Sequence, residues 1–181
     1  MNIQKFTKNS IEAVQNCEKL GYEYGNQEID QEHLLLALLQ LPDSLILRLL
    51  EKAGANPDQI MARAQRAVES RPKVSGESAK MYMSASLNKA LLGAEDEAKR
   101  MGDEYVSVEH LFLSMLKEPN AVLKGIFREY GITRETFLQA LSTVRGNQRV
   151  TSDNPEATYD TLEKYGTDLV ERARDQKLDP V

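Results

Sequence analysis

One tripeptide constrains the chain more than any bulk property does. Glu32-His33-Leu34 recurs as Glu109-His110-Leu111, an offset of 77 residues (109 − 32). At the same offset Leu36 and Leu39 recur as Leu113 and Leu116, Ala13 as Ala90, Gly25 as Gly102, Pro42 as Pro119 and Gly54 as Gly131. Conservative pairs fill the intervals: Thr7 with Ser84, Ile29 with Val106, Asp30 with Ser107, Ile60 with Phe137. No insertion is needed between residues 7 and 64. Glycines, prolines and both histidines meeting at one offset mark a duplicated unit, two copies sharing one core.

Each copy reads as four helices, which makes the fold class all-α: two pseudo-symmetric four-helix repeats, at about residues 5–70 and 82–144. In the first, Thr7 is a good N-cap, since its hydroxyl accepts from a first-turn amide, and Ile11, Val14 and Cys17 follow at helical spacing. A second helix follows Asp30, with Leu34, Leu35, Leu38 and Leu39 inward, and stops at Pro42. A third runs from about residue 44 to 53, ended by Gly54. Asn56-Pro57 opens a fourth, as cap and first helical residue. The second copy repeats the plan, with Ser84, Ser107, Asn120 and Thr133 at the helix starts. Strand-like alternation is confined to short pieces such as Tyr105-Val106.

A turn-rich stretch at 71–77 joins the copies. A polar segment with Gly and Pro, residues 146–156, follows the second and is expected to be a mobile hinge. An amphipathic helix is expected from about residue 157 to 176, carrying Tyr159, Leu162, Leu169 and Val170.

Composition narrows the function. Hydrophobic residues make up 41% and charged residues 28%, a globular profile without tryptophan. The net charge of −5 argues against nucleic-acid binding, which needs a basic face. The single cysteine, Cys17, forms no disulfide within the chain and falls on an apolar helix face, the place of an inert buried thiol. The first residues lack the long apolar stretch of a secretory signal, and no run approaches the ~18 apolar residues of a membrane span. A cytoplasmic location without membrane contact is the expectation.

Chemistry-bearing constellations are sparse. Adjacent helix residues point about 100° apart, so each Glu-His pair is unsuited to chelation, and no H-E-x-x-H or Cys/His cluster occurs. A helix-start histidine bonding a nearby backbone group is the expected role of His33 and His110. No nucleophile–base–acid set is spaced for catalysis. No G-x-x-x-x-G-K-[ST] phosphate loop occurs in the sequence, so no ATP site, no cofactor and no enzymatic activity are expected of this chain itself.

The double repeat resembles the N-domain of the Clp ATPases. Several segments resemble the ClpB-type disaggregases in particular: MNIQKFT at 1–7, RPKVSG at 71–76, DEYVSVEHL at 103–111, VRGNQRVTSDNPEATYDTLEKYG at 144–166 and KLDPV at 177–181. The resemblance covers the whole chain. It implies a Clp N-domain at 1–145, a flexible linker at 146–156 and the first helix of an ATPase module at 157–181. It also implies a parent that is an ATP- and Mg-dependent homohexameric chaperone working with a DnaK-type partner. The N-domain of such a protein binds exposed apolar segments of unfolded or aggregated clients in a shallow groove and passes them to the ring. The alternative is an adaptor-docking platform, as in the ClpA and ClpC relatives.

By the same resemblance, Thr7, Ser84, Asp103 and Glu109 are the substrate-engaging positions. Thr7 and Ser84 are better explained as helix caps at equivalent repeat positions, whose loss would disturb a groove wall without any client contact. Asp103 and Glu109 are expected to flank the groove and to meet basic residues of a client. Leu91 and Leu92 are helix neighbours that cannot both face one core, so one of them is a candidate for client contact. Capture by so shallow a site is expected to be micromolar or weaker, about −8 kcal/mol.

Overall fold

A computed structural model describes residues 3–74 and 80–159 of the chain. After a single 3-10 turn over Ile3–Lys5, the first repeat comprises α1 (Lys8–Tyr24), β1 (Glu28–Ile29), α2 (Gln31–Gln40), α3 (Leu45–Lys52) and α4 (Pro57–Glu69). The second comprises β2 (Tyr82–Met83), α5 (Ala85–Arg100), α6 (Val108–Lys117), α7 (Ala121–Glu129) and α8 (Arg134–Arg145). The fold is all-α, with helix starts at the caps that the sequence predicts.

Equivalent residues cap equivalent helices. Thr7 Oγ1 accepts from the Ser10 amide at 3.3 Å, and Ser84 Oγ accepts from the Leu87 amide at 3.0 Å, with 10 + 77 = 87. Asn56 caps α4, and Thr133, at 56 + 77, caps α8. At α2 and α6 the third helical residue is a histidine, whose Nδ1 accepts from the cap amide: Asp30 N–H to His33 at 3.0 Å, Ser107 N–H to His110 at 2.8 Å. Gly25 and Gly102 follow α1 and α5 in the left-handed region, at φ 70° and 72°, where a glycine ends a helix without steric cost.

The halves are tied by reciprocal strand pairing. β1 and β2 run parallel, with Ile29 opposite Met83, and a second parallel bridge joins Phe6 to Val106. Because 6 + 77 = 83 and 29 + 77 = 106, these are one contact made twice with the copies exchanged. The Thr7 amide donates to Val106 O at 2.9 Å, and the Ser84 amide to Ile29 O at 2.8 Å.

One apolar cluster spans both repeats. At its centre lie α2 and α6, buried almost all round, as helices apolar on every face must be. In the second repeat Phe112 packs on Phe137 at 4.6 Å between ring centroids and edge-on to Phe127 at 5.6 Å. In the first repeat Leu35, Ile60 and Leu50 take those three places, each fully buried. Where α5 meets α6 the backbones approach closely: a Cβ on Gly93 would stand 2.5 Å from Ser114 Oγ. No single helix among the described residues is long and apolar enough to cross a membrane.

The segment 146–156, expected from its composition to be a linker, is docked on the domain. It lies along the second repeat, held by backbone bonds that composition does not advertise. The Glu104 amide donates to Val150 O at 2.8 Å, and the Lys8 amide to Asp153 O at 2.8 Å. Val150 is fully buried. A helical stretch at 155–159 follows, with Tyr159 buried. The remainder of the helix expected to reach residue 176 lies outside the described residues.

Candidate functional site

Between α1 and α5, above the short β1–β2 pair, runs an open groove of about 340 Å³. Cys17, Ile29, Leu87 and Leu91 form its floor, Val14, Met81 and Met83 its sides, and Gln15, Glu18 and Tyr82 its polar-tipped rim. Two of these apolar side chains stand largely in water, Tyr82 at 53% and Met83 at 42% exposure. The groove exists because α1 turns Ser10, Ala13, Cys17 and Leu20 into the core and leaves Val14 at the edge, lining the same depression as Leu87 and Leu91 of α5.

Cys17 matches the inert thiol that the sequence implies. It is buried, donates to Ala13 O at 3.4 Å, and burial pushes its pKa up to about 12. His33 and His110 cap helices from within, and among the described residues no group of side chains is arranged to hold a metal ion.

The structure separates the sequence-predicted site residues. Leu91 is buried as groove floor, whereas Leu92 is 46% exposed and points into a different depression beside Lys89, Asp96 and Lys117. The two leucines therefore serve different surfaces. Thr7 and Ser84 are buried caps outside the groove lining, so client contact gives way to a local structural role: their hydroxyls are already spent on helix starts.

Asp103 and Glu109 require the larger correction. Both are buried, neither lines the groove, and their partner is internal. Asp103 Oδ1 accepts from Arg145 Nη2 and from the Val150 amide (3.0 Å), while Oδ2 accepts from His110 Nε2 at 2.7 Å. Glu109 Oε2 accepts from the Tyr159 hydroxyl at 3.1 Å and stands 3.6 Å from Arg145 Nη1. Burial pushes the Asp103 carboxyl up, but the bonds from His110, Val150 and Arg145 outweigh it and hold it below the usual range. Burial and the neighbouring Glu109 raise the Tyr159 phenol. A carboxylate so enclosed is not open to a client's basic side chain.

The first repeat contains the counterpart. Asn26 stands at the position of Asp103 (26 + 77) and takes a hydrogen bond on Oδ1 from His33 Nε2 at 2.9 Å. Glu32, the counterpart of Glu109, accepts from Arg71 Nη1 at 2.8 Å and from Asn120 Nδ2 at 2.9 Å. Burial, followed by the charge of Arg71, lowers the His33 pKa to about 4.

The exposed apolar residues of β2 escaped the sequence reading. A signal was present: at the repeat offset, Gln4-Lys5-Phe6 becomes Met81-Tyr82-Met83, so polar residues in one copy are replaced by apolar ones in the other.

The sequence pattern of the Clp repeat (R) N-terminal domain matches residues 5–130. The chain belongs to the Clp N-terminal repeat family. Over 185 aligned residues it is 45% identical to the chaperone protein ClpB of Nitratidesulfovibrio vulgaris, covering 100% of this chain and 21% of that protein. This Clp N-domain chain thus spans about a fifth of the length of the curated relatives it matches. Its fold is that of the Hsp104 N-terminal domain from Candida albicans, with a TM-score of 0.72 and 24% identity over 83% of this chain and 97% of that one. A ClpV N-domain in complex with a VipB peptide has a TM-score of 0.61 and 23% identity, covering 77% and 86% of the two chains.

Proposed function

We propose that this Clp N-domain captures exposed apolar segments of unfolded or aggregated proteins in the α1–α5 groove. In a longer ClpB-type protein it hands them to a homohexameric, cytoplasmic ATPase ring that works with a DnaK-type chaperone. ATP and Mg2+ belong to that ring. The observation that carries the reading is the groove itself: an apolar floor continuous with two apolar side chains left in water, Tyr82 and Met83. Covering such surface is favourable whatever the client's sequence. Methionine adds adaptability, since its unbranched thioether repacks against many shapes. The groove is open and shallow, so a single domain gains little beyond its ordering costs, and affinity sits near micromolar. Several copies held on one ring raise the effective concentration of the rest once one has bound.

The test is a titration of the chain into a fluorescently labelled, permanently reduced unfolded protein and into the same protein in its native state. Micromolar binding of the unfolded form alone is expected, weakened about tenfold by Met83→Asp, roughly 1.4 kcal/mol. Met83 is exposed, so this change leaves the fold intact. Equal affinity of wild type and Met83→Asp overturns the groove as the site. Tighter binding of a folded partner than of the unfolded protein selects the adaptor-docking alternative.

A further inference from the structure

We propose that residues 147–159 form a releasable strap on the second repeat, with Asp103 and Glu109 as its anchors. These two carboxylates are then positioning residues that set where the domain's tether begins. The inference rests on the reading above that the domain works as a tethered element of a longer protein.

Four observations converge. Arg145, the last residue of α8, is buried and bridges both carboxylates, and its Nε also donates to Gln148 O at 2.9 Å, turning the chain back on itself. Asp103 Oδ1 then holds the Val150 amide, while Val150 O accepts from Glu104. Glu109 holds the far end through the Tyr159 hydroxyl. Lys8 grips the middle through Asp153 O. Beside the buried side chains of Val150 and Tyr159, the strap is fixed by these few polar contacts, and two of the anchors are the acidic pair.

The first repeat shows the same device. There the stretch following α4 is held by Glu32 through Arg71, the Val74 amide donates to Gly25 O at 2.8 Å, and Asn26 Nδ2 donates to Pro72 O at 3.2 Å. That stretch continues in sequence toward the second repeat. The strap is its counterpart after the second repeat.

The strap is also built to open. Its residues from 147 to 158 are exposed, with Gln148 half-buried and Val150, Pro155 and Glu156 buried. It borders an open hollow of about 300 Å³ beside Arg149, Pro155 and Tyr159. Glu109 Oε1 and Arg145 Nη1 are buried without a hydrogen bond. His110 accepts from an amide at Nδ1 and therefore carries its proton on Nε2 as a neutral ring. Two carboxylates consequently face one guanidinium. A segment whose buried apolar side chains are few, chiefly Val150, Pro155 and Tyr159, and whose polar anchor is incompletely satisfied opens before the core does. Thirteen residues (147–159) released at full extension add up to roughly 45 Å of reach.

Hydrogen exchange on the whole chain tests this, with tryptic cleavage after Arg149 as a second readout. In wild type, the Val150 amide is expected to exchange faster than core amides of α2 and α6. Tyr159→Phe removes one oxygen while keeping the ring, and is expected to raise exchange over 147–156 about tenfold and to hasten cleavage after Arg149. Glu109→Gln is expected to do more. Both variants keep wild-type affinity for the unfolded protein. Should Glu109→Gln fail to fold, Tyr159→Phe still decides. The strap is refuted if the Val150 amide exchanges only at the rate of the core, or if Tyr159→Phe changes neither readout. It is equally refuted if Glu109→Gln loses client affinity while the segment stays protected. Failure of Met83→Asp to weaken binding bears on the groove alone and leaves these outcomes unaffected.

Discussion

Ser84 Oγ donates to Asp30 Oδ1 at 2.7 Å, so the cap of α5 in one repeat is bound to the cap of α2 in the other. Burial pushes the Asp30 carboxyl up, but bonds from Ser86, Ser84 and the Gln31 amide bring it below its ordinary range. The hydroxyl of Thr7, the counterpart of Ser84, donates instead to Ser10 in its own helix.

That difference predicts unequal costs for equivalent substitutions. Thr7→Ala is expected to lose about 1 kcal/mol, the worth of a cap. Ser84→Ala is expected to lose about 2 kcal/mol, because it also deprives a carboxylate of a partner. Urea denaturation of the two variants checks the ranking, and equal midpoints would contradict it.

His33 makes stability pH-dependent in a defined window. Its folded pKa, about 4, lies below its unfolded value of 6.5. The unfolded chain therefore binds the extra proton first, and stability falls as pH drops from about 6.5 to about 4, by ~3 kcal/mol in all. The lowered carboxyls of Asp30 and Asp103 add their losses only below their ordinary range, near pH 4 and under. Denaturation between pH 7 and 4.5 is expected to show the slope in wild type and a flatter line in His33→Gln, which retains a side chain suited to that capping position.

At Gly93 a substitution and its remedy can both be foreseen. Ser114 Oγ, 2.5 Å from where an alanine Cβ would sit, donates to Ala90 O at 2.6 Å. Gly93→Ala is expected to break that bond and lower stability by about 1 kcal/mol, despite the better helix propensity of alanine. In a Ser114→Ala background the Cβ of residue 114 stands 3.7 Å away, an ordinary contact, so the same change is expected to stabilise. A thermodynamic cycle over the four proteins measures the reversal of sign.

Cys17 borders the groove yet is buried, with its thiol held in the protonated form by burial. Thiol reagents at pH 8 are expected to modify it at the rate of unfolding, with reactivity rising steeply through the urea transition. Fast modification of the native chain would show the groove floor to be open.

Features carried by local chemistry were legible in the sequence. Caps at Thr7, Ser84, Asn56 and Asn120 announce helices, and the 77-residue offset announces the duplication. The environment of a charge was not. Glu109 in a first helical turn reads alike whether it faces water or Arg145, because the helix dipole favours it in both cases. Leu91 and Leu92 differ by one helical step, and only the packing of α5 shows which one floors the groove. The strap reads as a linker since the amides that dock it, those of Val150, Glu104 and Lys8, leave no trace in composition.

The exchanged pairings, Phe6 with Val106 and Ile29 with Met83, also bear on how the chain is made. During synthesis the opening residues have no partner until Val106 has left the ribosome, and Ile29 waits for Met83. The nascent first repeat is therefore held unfinished through the translation of half the second. A product terminated near residue 70 lacks both closing partners, Met83 and Val106.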